Sequence, residues 1–164
     1  MKALTIWQPW ASLIMIGAKP YEFRGKSYVK YIGHPNPGDR IVIHAGARKM
    51  KVAEIADLLN RLDRPEGEDF TGLVREPAGR LLQRIWKQPR DGFQCLELGA
   101  GLGTAIIGKP CIAGMLLKSK TAIDSLPHDS DRGEFNWAWP LNEVEVFDSP
   151  IPARGMQGFW EWRQ

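Results

Sequence analysis

The stretch that decides the fold is GAKPYEFR, residues 17–24. It follows a short apolar segment and begins with a glycine, which predicts that a helix ends here and that a strand starts at Tyr21. Successive side chains of a strand point to opposite faces, so Tyr21 and Phe23 would share one face. Glu22 and Arg24 would share the other. The stretch therefore predicts a helix-to-strand corner with one polar face.

This polar face carries side chains that suit chemistry on a polar or anionic ligand. Lys19 would lie at the corner, beside Glu22 and Arg24. A guanidinium grips a phosphate or carbonyl oxygen through paired donors, a carboxylate accepts a proton, and a desolvated lysine acts as acid or base. The residue types predict a catalytic pair, Lys19 and Glu22, beside a substrate-binding Arg24. The same spacing also fits a solvated Glu22–Arg24 pair on an edge strand.

The chain on both sides of the corner indicates a mixed α+β domain. Short strands outnumber helices, which is typical of a small β-barrel or curled sheet with flanking helices. Residues 64–92 are polar at first and broken by Pro and Gly, and they resemble an insertion or lid on a single domain of residues 1–164. The predicted strands are 3–7, 21–24, 137–147 and 158–162, with a turn followed by a strand over 38–45 and bent or bulged strands over 104–118; the predicted helices are 10–16, 47–62 and 80–86.

A glycine-rich stretch, CLELGAGLGT at residues 95–104, matches the loop with which class I methyltransferases hold S-adenosylmethionine. Such a loop needs a parallel strand before it and a helix after it. The residues that follow include the β-branched pair Ile106-Ile107 and then Gly108 and Pro110, which do not continue a helix. A methyltransferase therefore ranks last among the functions considered, and we expect the glycines to let the chain turn into a strand at Thr104.

The composition is that of an ordinary globular protein, with 43% hydrophobic and 25% charged residues. A net charge of +3 is compatible with nucleic-acid binding, and the seven tryptophans suit either base stacking or a core. Cys95 and Cys111 form no CxxC pair or Cys/His cluster, so we expect no disulfide framework, no zinc and a reduced, cytoplasmic setting. The apolar runs are too short for a membrane span.

The octapeptide fits the Gly-x-Lys-x-x-Glu-x-Arg signature of ASCH domains, which belong to the PUA-like superfamily. Three further segments resemble the family in the same order along the chain. They are LTIWQPWASLI at residues 4–14, GDRIVIHAG at 38–46 and PIPARGMQGFWEW at 150–162. The resemblance implies a PUA-like small β-barrel with flanking helices and a cleft lined by the signature residues.

The roles known or proposed for this family involve RNA: binding, cleavage of single strands, or removal of an acyl group from a modified cytidine. In the acyl-removing members, the resemblance makes Lys19 the activator of a nucleophilic threonine. Glu22 stands here in place of that threonine, which favours a binding module or a ribonuclease over a nucleoside amidohydrolase. We expect RNA or a modified nucleotide as partner, and no protein partner is inferred.

Five further residues are candidates for contact with RNA. Trp10 would stack a base or fill the core, and His44 would titrate near neutral pH or be a core histidine. Gln157 would read a base edge or hold a turn, and Arg48 would bind phosphate or lie on a solvated face. Trp139 is placed at the cleft with them. The sequence has no metal-ligand spacing and predicts no cofactor, although a ribonuclease would be able to recruit a divalent ion through Glu22 and phosphate oxygens.

Overall fold

The computed structural model describes residues 1–24, 33–65, 71–88, 96–112 and 137–163, which contain seven strands and three helices. The strands are β1 (Lys2–Ile6), β2 (Tyr21–Arg24), β3 (Arg40–Ala45), β4 (Ala100–Ile107), β5 (Cys111–Ile112), β6 (Trp137–Pro152) and β7 (Phe159–Glu161). The helices are α1 (Trp10–Met15), α2 (Val52–Leu62) and α3 (Arg75–Trp86).

Six strands form a curled half-barrel sheet in the order β2-β6-β4-β3-β1-β7, and β5 pairs with β6 beside this path. The pair β1–β3 is parallel, whereas the other pairs are antiparallel. Among the described strands, the signature strand β2 pairs with β6 alone, so it lies at one end of the path. The architecture confirms a mixed α+β fold, compatible with a small β-barrel and flanking helices.

Helix α2 begins at Val52, so the prediction of a helix over residues 47–62 is wrong at its start. Lys51 has an extended backbone, and its N–H donates a hydrogen bond of 2.9 Å to the side chain of Glu54. A carboxylate at this position satisfies a free N–H at the helix start, which fixes where the helix begins. Arg48 therefore precedes the helix instead of lying on its first turn.

Helix α3 starts at Arg75, earlier than the predicted residue 80. Its Leu82 and Ile85 are fully buried in the same apolar core as Ile55 of α2. Just before the helix, the Val74 N–H donates a 2.8 Å hydrogen bond to the carbonyl of Ala18. The described part of the expected insertion thus packs on the core beside the corner; residues 66–70 and 89–92 lie outside the described residues, and the lid stays a prediction.

The glycine-rich stretch forms an antiparallel strand. Strand β4 begins at Ala100, so the prediction that the glycines turn the chain into a strand at Thr104 is wrong. A Cβ at Gly101 would lie 2.6 Å from the Trp162 ring, and one at Gly103 would overlap the Glu145 carbonyl oxygen. These glycines serve close packing of neighbouring elements against the strand. With antiparallel neighbours on both sides and β5 next in the chain, the stretch is not a strand–loop–helix unit.

Strand β6 is longer than predicted, and its side-chain alternation is interrupted. Glu143 has a positive φ of 44°, and the pairing register with β4 shifts between Thr104 and Ile106. Between these two pairs β6 has one residue more than β4. Such an insertion is a β-bulge, and it changes the face on which the following side chains lie. Val146 is accordingly 62% exposed, so the simple alternation expected over residues 137–147 is wrong in its second half.

Among the described residues, no helix is both long enough and apolar enough to cross a membrane.

Candidate functional site

The corner between α1 and β2 forms as the sequence predicts. Gly17 adopts a positive φ of 70°. This conformation is unfavourable for residues with a side chain but not for glycine. The N–H groups of Ala18 and Lys19 both donate to the Leu13 carbonyl, at 2.8 and 3.0 Å. These bonds end the helix and turn the chain so that Lys19 comes directly before β2.

The three polar signature residues form one chain of ion pairs. Lys19 Nζ lies 2.6 Å from Glu22 Oε2, and Arg24 Nη2 lies 2.7 Å from Glu22 Oε1. Lys19 Nζ also donates a 2.6 Å hydrogen bond to the Tyr21 carbonyl. The side chains of Lys19, Glu22 and Arg24 are 6%, 2% and 19% exposed. The alternative of a solvated Glu22–Arg24 pair is therefore wrong, because the carboxylate is fully enclosed.

The charges of Lys19 and Arg24 keep Glu22 ionised. Burial desolvates its carboxylate and by itself would raise its pKa, but the charges and hydrogen bonds of Lys19 and Arg24 outweigh burial and hold the pKa below the ordinary 4.5. A carboxylate with a lowered pKa is a weak base and carries no proton to donate at neutral pH. Its role in this geometry is to hold the two cations in place.

Both tryptophans expected at the cleft belong to the core. Trp10 is 6% exposed and Trp139 is 1% exposed, so neither presents a ring face to solvent. Trp139 pairs with Glu22 in the register between β6 and β2, which explains how that carboxylate is covered. Lys19 Nζ lies 5.8 Å from the centroid of the Trp10 ring and 5.4 Å from that of Phe23, distances at which a ring favours a cation.

A cavity of about 550 Å³ opens beside the end of β2, and we name it the first cavity. Arg24 and Gln157 line it, as do two residues that sequence reasoning missed, Trp7 and Arg154. Lys19 and Glu22 are not among the residues that line it. The other lining residues are four glycines, Gly46, Gly99, Gly155 and Gly158, together with Thr5, Ala47, Ala153 and Met156.

His44 supports the wall of the first cavity from behind. It is 1% exposed, and its Nε2 lies 3.0 Å from the Ala153 carbonyl, which makes Nε2 the N–H donor. Burial lowers the pKa of His44, and the hydrogen bond to Ala153 only partly offsets this effect. The ring also makes an edge contact with Trp160 at 5.5 Å, and Gly155 packs directly against it. A neutral His44 therefore positions the segment 153–158.

Arg48 does not line the first cavity, but it contacts Trp7, which does. Its guanidinium carbon lies 4.0 Å from the centroid of the Trp7 ring, and its Nη2 lies 2.9 Å from Glu54 Oε1. The cation covers one ring face while the indole lines the cavity. Nothing in the sequence distinguished Trp7 from the other tryptophans, whereas Arg154 had a signal: it is a basic residue within the closing segment that resembles ASCH domains.

Among the residues that the structure describes, no group of three or more His, Cys, Asp or Glu side chains is arranged to hold a metal ion. A scan against protein-family models matched no family, and a search of curated proteins found no matching protein.

Proposed function

We propose that this protein is an RNA-binding domain of the PUA-like kind, which holds one nucleotide, plain or modified, in the first cavity. The observation that carries the proposal is the position of Arg24. Of the three polar signature residues it alone lines the cavity, while Glu22 and Lys19 lie behind it as its buried counter-charge and support. A guanidinium held by a carboxylate keeps a fixed orientation and position beside the cavity that it lines.

The lining of the first cavity suits a nucleotide. Its volume of about 550 Å³ falls within the range of small-ligand sites. The indole of Trp7 offers an aromatic contact for a base, and the exposed Gln157 amide offers both a donor and an acceptor for a base edge. Arg24 and Arg154 supply positive charge for phosphate or carbonyl oxygens.

A hydrolase that uses Lys19 and Glu22 as acid and base is the second interpretation, and it ranks behind binding. Lys19 already donates to Tyr21 and Glu22, and Glu22 is paired on both oxygens. Both side chains are almost completely enclosed, so a substrate in the cavity would meet Arg24 first. Ribonuclease or amidohydrolase activity would need this ion-pair chain to open.

The ASCH resemblance supports the PUA-like assignment through four segments in the expected order. The curled sheet with helices packed on one core is compatible with it. The cytoplasmic setting is proposed from the cysteine usage alone. No cofactor is proposed.

The experiment is a titration with single-stranded RNA and with nucleoside monophosphates, followed by calorimetry, for the wild type and three variants. Arg24→Lys keeps the charge beside Glu22 but loses the paired donors, and Gln157→Ala truncates an exposed residue of the cavity. Arg84→Ala removes an arginine from the exposed side of α3, away from the cavity, as the matched control.

We expect both cavity variants to bind several-fold more weakly and the control to bind as the wild type does. RNA cleavage is followed in the same samples. Wild-type affinity in both Arg24→Lys and Gln157→Ala would remove the first cavity from the account, and turnover abolished by Lys19→Ala in a folded protein would put the hydrolase first.

A further inference from the structure

A second cavity of about 720 Å³ lies next to the first and shares part of its wall. Ala153, Arg154 and Met156 line both cavities, so this segment stands between them. The other residues that line the second cavity come from β1 and β7, from the last position of β6 and from one position beyond β7. These residues are Lys2, Pro152, Phe159, Trp160, Glu161 and Arg163.

The charge of the second cavity is predominantly positive. Three of its side chains are basic, Lys2, Arg154 and Arg163, and one is acidic, Glu161. Lys2 and Glu161 neutralise each other in an ion pair, which together with the more distant charge of Arg163 lowers the Glu161 pKa. Within the described part of the chain, neither Arg154 nor Arg163 forms an ion pair, and both side chains are exposed.

The shared wall is suited to contact with a nucleic-acid strand that passes over it. Arg154 is exposed and lines both cavities, and Met156, an apolar side chain that also lines both, is 60% exposed. Phe159, which is half-buried, also lines the second cavity, whereas Trp160 lines it but is only 8% exposed. Cations that follow a backbone, interleaved with apolar and aromatic surface, are typical of proteins that bind single-stranded nucleic acid.

We infer that the ligand is a single-stranded RNA of at least two nucleotides, which crosses the shared wall from the first cavity into the second. One nucleotide occupies the first cavity, the linking phosphate contacts Arg154, and the next phosphate contacts Arg163. This inference rests on the proposed function, because it extends the same site by one nucleotide step. It distinguishes an oligonucleotide binder from a protein that recognises a free nucleotide.

The experiment compares two probes on the full chain: uridine monophosphate and a single-stranded oligouridylate of about eight nucleotides, a length within the range of single-strand sites. Affinities are measured between about 50 and 200 mM salt, where phosphate contacts have a large effect. The test variant is Arg163→Ala, and Arg84→Ala is its control with the same loss of charge. Arg163 is exposed and lies outside every strand and helix of the described residues, so we expect its truncation to leave the fold intact.

We expect the oligonucleotide to bind about tenfold or more tightly than the monophosphate, since a hydrogen bond to a charged group contributes roughly that factor. Arg163→Ala should weaken oligonucleotide binding and reduce the slope of log affinity against log salt by about 0.7. It should leave monophosphate binding unchanged, and Arg84→Ala should change neither probe.

Monophosphate binding as tight as oligonucleotide binding, or an Arg163→Ala variant indistinguishable from Arg84→Ala, would overturn the second subsite and leave the first cavity's function standing. If neither probe binds the wild type, the proposed function itself fails, and the second subsite fails with it.

Discussion

Replacing Glu22 by glutamine is expected to destabilise the protein strongly. The substitution keeps the shape of the side chain but removes the charge that two cations share. Lys19 Nζ and Arg24 Nη2 lie 2.6 and 2.7 Å from the two carboxylate oxygens, and the Lys19 side chain is only 6% exposed. Removing one partner of a buried ion pair costs about 3–5 kcal/mol, because the other charge stays buried without compensation.

For a chain of this size, 1 kcal/mol changes Tm by about 2–4 °C, so Glu22→Gln should lower Tm by roughly 6–20 °C. The matched control is Glu76→Gln, which removes the carboxylate of an exposed pair with Arg80, whose side chains are 79% and 69% exposed. That change should alter the free energy of unfolding by no more than about 0.5 kcal/mol. Urea denaturation and thermal unfolding measure both variants.

The double variant Lys19→Met/Glu22→Gln tests the physical cause. If an unpaired buried ammonium is what destabilises Glu22→Gln, then removing that ammonium should restore part of the lost free energy of unfolding. The reasoning is refuted if Glu22→Gln is as mild as Glu76→Gln, or if the double variant is less stable than Glu22→Gln.

The same carboxylate sets a pH dependence whose sign follows from its lowered pKa. On acidification the unfolded chain binds the Glu22 proton first, near the ordinary 4.5, while the folded protein resists protonation. The stabilisation is therefore complete above about pH 4.5 and is lost as pH falls toward the folded-state pKa. Glu22→Gln should lack this component of acid unfolding, which a comparison of Tm across pH would measure.

Three further predictions concern the cavity and the sheet. Trp7→Leu should weaken RNA binding by about 1–3 kcal/mol if the indole contacts a base, and titration of a variant shown by circular dichroism to be folded checks this. Gly103→Ala should destabilise the protein by about 1–3 kcal/mol, because the new Cβ would overlap the Glu145 carbonyl oxygen. Gly79→Ala, whose Cβ would lie in open space on α3, should instead stabilise it by about 0.5–1 kcal/mol. Urea denaturation measures both variants. His44 has a lowered pKa, so its contribution to stability is present above about pH 6.5 and lost as pH falls below it, and His44→Gln should remove that dependence from Tm.

The corner at residues 17–24 was predictable because local rules determine it. Gly17 ends the helix with a positive φ, and β2 spans Tyr21–Arg24 as the two-residue period predicts. The approach of Lys19 to Glu22 also follows from their spacing across a turn. These features depend on backbone geometry over a few residues, which the sequence carries directly.

The burial of the signature residues was not predictable from their spacing. Glu22 is covered because β6 pairs with β2 and places Trp139 opposite it, and this contact joins residues far apart in the chain. The same limitation left open whether Trp10 stacks a base or fills the core, and it gave no signal for Trp7. The sequence does not show which tryptophans are buried. Only the packing of α1 against the sheet distinguishes Trp10, whose ring lies in the core, from Trp7, which lines the cavity.

Local contacts and backbone geometry also explain where the observed elements differ from those that periodicity predicts. The bond from the Lys51 N–H to Glu54 delays α2, so Arg48 lies before the helix and covers the Trp7 ring. The positive φ of Glu143 interrupts the alternation of β6. Each correction arises from a single residue whose effect outweighs the average pattern around it.

The most direct test of the central claim, that RNA lies in the first cavity, is photo-crosslinking with single-stranded RNA that carries 4-thiouridine, followed by mass spectrometry of the peptides. The account predicts adducts on Trp7 or within residues 153–158, and their reduction in Arg24→Lys. Adducts confined to α2 and α3, or a pattern that Arg24→Lys leaves unchanged, would contradict it.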